Sequence, residues 1–240
     1  MTLLAGSLTA ALAESSSGPT CYSRTVNHWF CVDYLRDRGS ELTDATVQHL
    51  WITAAAVGLG LVLALPLALL ARRVRRLENG ILAISTGLYT IPSLALFPLI
   101  VPFTGLTPLT VVVGLALYSL TILVRNSLEG LRSVPEDVRE SAVGLGYSPA
   151  RLLLRVELPM ALPVIMAGLR IATVSTVALT TVGAIVAYGG LGNLLADGVS
   201  ENFKAEILAA SVLCVVLAVG LDLLLLGVQW LLTPWTRTVD

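Results

Sequence analysis

Five apolar stretches, each close to 20 residues or longer, restrict the fold of this chain more than any other feature. A helix needs about 20 residues to cross a hydrocarbon layer of about 30 Å, and in lipid it satisfies its own backbone hydrogen bonds. Only 13% of the residues are charged and 55% are hydrophobic, so the chain has too few charged side chains to cover the surface of a soluble globular protein. We predict an all-α integral membrane protein, with an amino-terminal tail at 1–46, transmembrane helices at about 47–71, 79–101, 107–124, 161–187 and 206–232, and a carboxyl-terminal tail at 233–240.

The positions of the arginines predict how these helices cross the membrane, because cytoplasmic loops are enriched in Lys and Arg. Arginines cluster in the connections after the first and third predicted spans: Arg72, Arg73, Arg75, Arg76, Arg125, Arg132, Arg139, Arg151 and Arg155. The opposite side has Lys204 in the 188–206 connection and three arginines in the amino-terminal tail, which weaken the bias without reversing it. We therefore predict that the amino terminus lies outside, and that the carboxyl terminus and the 125–160 loop lie in the cytoplasm.

The amino-terminal tail is a separate extracytoplasmic segment in this topology. Leu3–Ala13 is apolar and ends like a signal-peptide cleavage site, but no basic residue precedes it, so a cleaved signal and a tail on the outer membrane face both stay open. Residues 29–42 carry aromatic and leucine side chains that suit a short interfacial helix. Cys21 and Cys31 lie where oxidation is permitted, and they form either a disulfide or two separate thiols. No Cys/His cluster has metal-ligand spacing, so no metal site is predicted.

The 133–159 segment predicts two short helices joined by a turn. Ser133 and Glu136 have the spacing of a capping box, which starts the first helix. Gly144 and Gly146 permit a turn that side chains with a Cβ would resist. Ser148–Pro149 suits the start of a second helix, which would run to the end of the segment.

The charge pattern of this segment predicts which side faces outward. Val134, Val138 and Leu145 can form one apolar side, while Arg139 and Glu140 face solvent or a partner. A rigid helix pair between two spans suits a lever that inserts into another protein. The alternative is an ordinary loop with solvated charges.

The same segment resembles the coupling loop of ABC importer permeases of the binding-protein-dependent, MetI-like type. That pattern is Glu-Ala-Ala, three residues, Gly, nine residues and Ile-x-Leu-Pro. The residues in register with it are Glu140, Ala142, Gly146, Leu158 and Pro159. Ser141 replaces the first Ala of the pattern and Val156 replaces the Ile. Further stretches resemble the osmoprotectant branch of these permeases, which moves glycine betaine, choline or carnitine: 89–96, 123–126, 130–134, 162–170 and 189–192.

The resemblance implies a permease subunit of an ATP-driven importer, which moves a small osmoprotectant into a bacterial or archaeal cell by alternating access. It implies that six residues couple the permease to a separate ATPase: Glu140, Ser141, Ala142, Gly146, Leu158 and Pro159. It also implies a cytoplasmic-membrane location, a dimer of ABC ATPase subunits, a second permease subunit of the same or a homologous chain, and an extracytoplasmic solute-binding protein. Lipid surrounds such a chain, and its net charge of −1 indicates no nucleic-acid partner.

The chain has no phosphate-binding loop of its own, since its single lysine, Lys204, follows no glycine-rich turn. ATP and magnesium are therefore expected in the partner ATPase, and neither enzymatic activity nor a cofactor is expected in this chain. The alternatives are a permease for another small solute such as an amino acid, and a self-powered secondary transporter with Asp222 as its acidic candidate.

Polar residues inside the spans are candidates for the translocation pathway or for helix packing: Tyr89, Pro92, Ser93, Tyr118, Thr180 and Thr181. Tyrosine rings attract quaternary ammonium cations, and proline frees a backbone carbonyl. Arg170 and Asp222 each lie about ten residues from the same predicted end, a depth of about 15 Å. An ion pair between them is one prediction, and an interfacial Arg170 is the alternative.

Overall fold

A computed structural model of the chain describes residues 20–237, and every regular element within that range is helical. The helices in chain order are α1 (Val32–Asp37), α2 (Gly39–Arg73), α3 (Arg75–Thr90), α4 (Ser93–Thr104), α5 (Pro108–Arg132), α6 (Glu136–Gly144), α7 (Pro149–Leu152), α8 (Leu158–Thr180), α9 (Leu191–Ser200) and α10 (Lys204–Leu232). A π-helical turn, Leu153–Glu157, joins α7 to α8, and 3-10 turns cover Thr181–Val186 and Pro234–Arg237. The predicted cleavage site near Ala13 and the last three residues of the carboxyl-terminal tail lie outside the described residues.

The described helices supply the five membrane spans that the hydropathy predicts, but one of them is broken. Four helical segments are long and apolar enough to cross a membrane: α2, α5, the continuous run Pro149–Val186, and α10. The fifth span is the pair α3 and α4, whose axes are bent by 101°. The all-α, five-span prediction is thus confirmed with this pair counted as one span.

The break in the second span follows from Pro92. Proline has no amide to continue the helix, and its ring pushes the preceding residue into extended backbone. Ile91 accordingly has φ −66° and ψ 127°, and α4 restarts at Ser93. The carbonyl of Ile91 accepts a hydrogen bond from the hydroxyl of Tyr118, so the break does not leave this polar group unsatisfied.

The helices extend beyond the apolar segments from which they were predicted. The helix of the first span begins at Gly39, before the predicted span start at 47, and the helix of the third continues to Arg132, beyond the predicted span end at 124. The helical run of the fourth begins at Pro149, before the predicted span start at 161, because hydropathy detects only the apolar part of a helix. Pro159 does not stop this helix: the π-helical turn before it accommodates the missing amide, and the Leu158 amide donates to the Leu153 carbonyl.

Helix α5 occupies the centre of the bundle, where it contacts α2, α3, α4 and α8. In the most apolar 18-residue stretch of α5, 61% of the residues are buried, whereas only 11% are buried in the corresponding stretch of α10. Gly130 permits close packing of α5 against α8, since a Cβ there would lie 2.9 Å from the carbonyl oxygen of Ala161. α10 therefore lies at the edge of the described bundle, and most of its surface is left for lipid or another chain.

The described part of the amino-terminal tail packs against the start of α10. Asn27 donates to the Asn202 carbonyl at 2.7 Å and accepts from the Lys204 amide at 3.0 Å. A disulfide joins Cys21 to Cys31, with their Cα atoms 5.6 Å apart. The predicted interfacial helix is limited to α1, and its Tyr34 is buried against Phe203 instead of facing the membrane. Desolvation is the main cause that raises the pKa of Tyr34 well above its usual range.

Candidate functional site

Helix α6 and the turn after it form an elbow between the third and fourth spans. Gly146 has φ +82°, a left-handed conformation in which glycine is favoured. The Tyr147 amide donates to the Ala142 carbonyl at 3.1 Å, which closes the end of α6. The Ser148 hydroxyl accepts from the Arg151 amide at 3.4 Å, and Pro149 is the first residue of α7. The turn at Gly146 and the helix start at Ser148 thus lie where the sequence predicts them, whereas Gly144 is the last residue of α6 and not part of the turn.

Two other expectations about the elbow are wrong. The capping box does not form, because the Ser133 hydroxyl donates to the Gly130 carbonyl at 2.8 Å and α6 begins after Pro135 without a side-chain cap. There is also no separate second helix, since α7 continues through the π-helical turn into α8. The elbow is therefore one short helix followed directly by the fourth span.

The outward side of α6 combines a carboxylate with apolar side chains. Glu140 and Ser141 are exposed, and Ala142 is buried. Val143 is 58% and Leu145 79% exposed, whereas Val134 is buried, so Leu145 does not form one apolar side with Val134 and Val138 as predicted. Exposed apolar side chains next to a charge are typical of a docking surface. We call Glu140, Ser141, Val143 and Leu145 the elbow surface.

Leu158 and Pro159 lie away from this surface. Both are half-buried and belong to the first turn of α8. They share the sequence pattern with Glu140 and Gly146, but their place in the structure is at the base of the fourth span. Their contribution is to the helix that carries the elbow and not to its exposed side.

An ion cluster missed by the sequence reasoning ties α6 to the bundle. Glu157, with only 4% of its surface exposed, accepts from Arg72 through both carboxylate oxygens, one of them at 2.7 Å from Nη1. Nε of Arg139 lies 3.1 Å from Oε1 of Glu157, and Nη2 of Arg139 donates to the Leu131 carbonyl at 2.6 Å. Arg139 was expected to face outward. We call Arg72, Arg139 and Glu157 the Glu157 clamp.

Within the spans, four of the six candidate pathway residues lie together at the broken second span. The rings of Tyr89 and Tyr118 pack edge to face, with centroids 5.7 Å apart. Tyr118 is buried and bonded to the Ile91 carbonyl, whereas Tyr89 is 46% exposed. Pro92 is exposed and Ser93 half-buried at the same break. The carbonyl that the proline frees is thus occupied by Tyr118, while the Tyr89 ring remains accessible.

The threonines of the fourth span make different contacts. Thr180 is fully buried, and its hydroxyl lies 3.1 Å from that of Thr53 on α2. One turn earlier, the Val177 carbonyl lies 3.0 Å from Nε2 of buried His49. The Thr181 hydroxyl bonds to the Ala178 carbonyl of its own helix. Thr180 therefore packs helix against helix, the alternative that was left open for these residues.

Arg170 and Asp222 lie side by side and connect α8 to α10. Nε of Arg170 donates to Oδ1 of Asp222 at 2.8 Å, and Nη2 donates to Oδ2 at 2.7 Å. This bidentate geometry is the strongest arrangement for an Arg–carboxylate pair. The pairing offsets two charges, each of which would be costly alone within a membrane-spanning helix.

The only group of described residues with three potential metal-binding side chains close together is Cys21, Cys31 and Asp33. A cysteine binds a metal ion as its thiolate, and both of these sulfurs are held in the disulfide. This arrangement accordingly has the chemistry of a structural cross-link.

Comparisons with known proteins connect these features to transport. Residues 56–238 match the family model described as binding-protein-dependent transport system inner membrane component. The chain is 39% identical over 208 residues to the osmoprotectant import permease protein OsmW of Salmonella typhimurium, covering 85% of this chain and 97% of that one. It is 32% identical over 203 residues to the carnitine transport permease protein OpuCB of Listeria monocytogenes, covering 85% and 93%. It is 34% identical over 203 residues to the choline transport system permease protein OpuBB of Bacillus subtilis, covering 85% and 94%.

Solved structures show the same fold. A chain of the MetNI methionine ABC transporter, in inward-facing conformations, superposes with a TM-score of 0.75 at 22% identity, covering 82% of this chain and 98% of that one. A second crystal form of that transporter gives a TM-score of 0.64 at 22% identity, with 85% and 98% covered.

Proposed function

This chain belongs to the family of binding-protein-dependent transport system inner membrane components, and on that premise we propose that it imports a small quaternary-amine osmoprotectant as the permease subunit of an ABC importer. Members of this family are permeases and not enzymes, so ATP hydrolysis belongs to a separate subunit. The observation that carries the proposal is the elbow surface, a charged and apolar patch on a short helix held between two spans.

The elbow surface supports docking to an ABC ATPase. We infer that the elbow lies in the cytoplasm, since the arginine-rich connections lie at the same end of the bundle. Glu140 offers a charge to the ATPase, Val143 and Leu145 offer apolar contact, and Gly146 sets the angle of the bend. ATP and magnesium bind to a dimer of these ATPase subunits, and its closure moves α6.

Two further partners complete the proposed importer. A second permease chain, identical or homologous, pairs with this one, because five spans form an incomplete pathway and most of α10 is exposed. An extracytoplasmic solute-binding protein delivers the solute at the opposite end in this proposal, which the description of the family as binding-protein-dependent supports. The amino terminus is outside in this arrangement and the carboxyl terminus is cytoplasmic.

The substrate class rests on the relatives and on the tyrosine pair. The relatives at 32% to 39% identity are named for osmoprotectants, carnitine and choline. Carnitine and choline carry a quaternary ammonium group, which aromatic faces attract through cation–π interaction. Tyr89 presents an accessible ring beside the broken span, so we assign it to the translocation pathway together with Pro92 and Ser93.

Purification and reconstitution test this function. We expect an ABC ATPase to co-purify with the tagged chain, and we expect liposomes holding the complex and its binding protein to accumulate glycine betaine, choline or carnitine only with ATP. Gly146→Ala should lower uptake, because alanine at φ +82° is strained by about 1–2 kcal/mol. Gly144→Ala is the matched control, since that position is helical and open and should tolerate a Cβ.

Two results would overturn the proposal. Solute flux through this chain alone, unaffected by ATP, would make it a secondary transporter. ATP-driven uptake of an amino acid, with no uptake of any quaternary amine, would retain the importer and replace the substrate class.

A further inference from the structure

We propose that Glu157 is a positioning residue of the transport cycle, which fixes α6 to the ends of three spans so that displacement of the elbow moves these spans together. The inference rests on the proposed importer function and goes beyond it, because it names how movement of α6 reaches the membrane helices. It depends on three observations: the burial of Glu157, the weak packing of α6, and the positions of the two arginines.

Glu157 is buried without being required for its own helix. Only 4% of its surface is exposed, and its carboxylate is directed to Arg72, the penultimate residue of α2, and to Arg139 of α6. The π-helical turn that contains it is held by backbone bonds. A carboxylate at this position is expensive to desolvate, and it is retained only where its partners compensate for that cost.

Helix α6 has little else to hold it. It has nine residues, too few for a stable isolated helix, and Ala142 is its one buried residue. Val138 is half-buried beside it, and apolar burial of this small extent is a weak constraint on the orientation of a helix. Arg139 supplies the missing attachment, because it reaches Glu157 of the fourth span and the Leu131 carbonyl at the end of α5.

The Glu157 clamp therefore joins α6 to three spans, two of them through the Glu157 carboxylate and the third through Arg139. Arg72 connects Glu157 to α2, Arg139 connects it to α6 and α5, and Glu157 itself lies at the entrance to α8. A helix held at several points transmits a displacement, whereas a helix held only by flexible turns absorbs it. Loss of the Glu157 clamp should consequently uncouple ATP hydrolysis from movement of the spans.

Two other ion pairs provide matched controls. Arg132 and Glu78 join α5 to α3 at the same end of the bundle without touching α6. Arg139 and Glu136 pair within α6, where Glu136 is 72% exposed and contributes little. Removal of either carboxylate deletes an ion pair of comparable type and leaves Glu157 in place.

The test compares variants in the complete importer in liposomes, with solute uptake and ATP hydrolysis measured on the same preparation. Glu157→Gln and Arg139→Gln should each lower the solute imported per ATP by about fivefold or more, the lower end of typical coupling effects. Glu78→Gln and Glu136→Gln should stay within about twofold of the wild type. Arg139→Lys keeps the positive charge but loses the forked guanidinium group. Its ratio of solute imported to ATP hydrolysed should lie between those of these two groups of variants.

The outcomes separate this inference from the proposed function. A wild-type complex without ATP-driven uptake would contradict the proposed importer function itself. A working wild type together with a Glu157→Gln complex that keeps the wild-type ratio of uptake to hydrolysis overturns the clamp. If Glu157→Gln fails to assemble, Arg139→Gln decides, since it leaves the Arg72–Glu157 pair intact and a wild-type ratio there refutes the proposal equally.

Discussion

Four ion pairs among the described residues connect segments that are distant in sequence: Arg72–Glu157, Arg132–Glu78, Arg139–Glu157 and Arg170–Asp222. Arg170 and Asp222 hold α8 to the poorly buried α10, and Glu157 with Arg72 holds the fourth span to the first. An isolated charge in lipid is costly, so each partner is needed mainly because the other is present. These pairs specify which helices become neighbours more than they add to net stability.

The Arg170–Asp222 pair gives a prediction in which a double substitution is milder than a single one. Asp222→Asn leaves the Arg170 guanidinium without its bidentate partner, so α10 should associate more weakly and the detergent-solubilised protein should unfold at a lower temperature. Replacing both residues with leucine removes both charges, and should restore most of the unfolding temperature. A double variant that is less stable than Asp222→Asn would contradict this account, as would a single variant with wild-type stability.

At the scale of elements, the sequence predicts what local chemistry determines and misses what distant contacts determine. Hydropathy locates the spans because lipid selects apolar side chains at every position, and the bend at Gly146 follows from glycine itself. The outward placement expected for Arg139 was wrong because its partner Glu157 lies in another helix. The capping box failed for a local reason, since Pro135 sets the helix start and Ser133 bonds back to α5.

The broken second span gives a prediction at this scale. Tyr118→Phe removes the donor to the Ile91 carbonyl and leaves a half-buried acceptor without this partner, which should cost about 1 kcal/mol of stability. Tyr89→Phe is the control, because it keeps the ring contact and removes a hydroxyl that makes no hydrogen bond within the described residues. Thermal unfolding of both variants checks the difference, and equal stabilities would show that the hydroxyl does not support the break.

At the scale of the whole molecule, the two ends of the bundle have different chemistry. One end carries α6, the elbow surface and the Glu157 clamp, where arginines are abundant. The other end carries the disulfide and the Asn27 contacts to the start of α10. A disulfide persists in an oxidising compartment and arginines are enriched on the cytoplasmic side, so both properties are consistent with the orientation that we propose.

This orientation can be measured with the cysteines of the chain itself. Cys21 and Cys31 are held in the disulfide, and Cys214 is the one remaining thiol of the three in the sequence. In a Cys214→Ser background produced without the ATPase that would cover the elbow surface, a membrane-impermeant maleimide should label Val143→Cys, which is 58% exposed in this chain, in inverted vesicles but not in intact cells. Phe30→Cys, at an 86% exposed position near the disulfide, should show the opposite pattern. Labelling of Val143→Cys from outside intact cells would place the elbow away from ATP, and would remove the physical basis for energy transfer through α6.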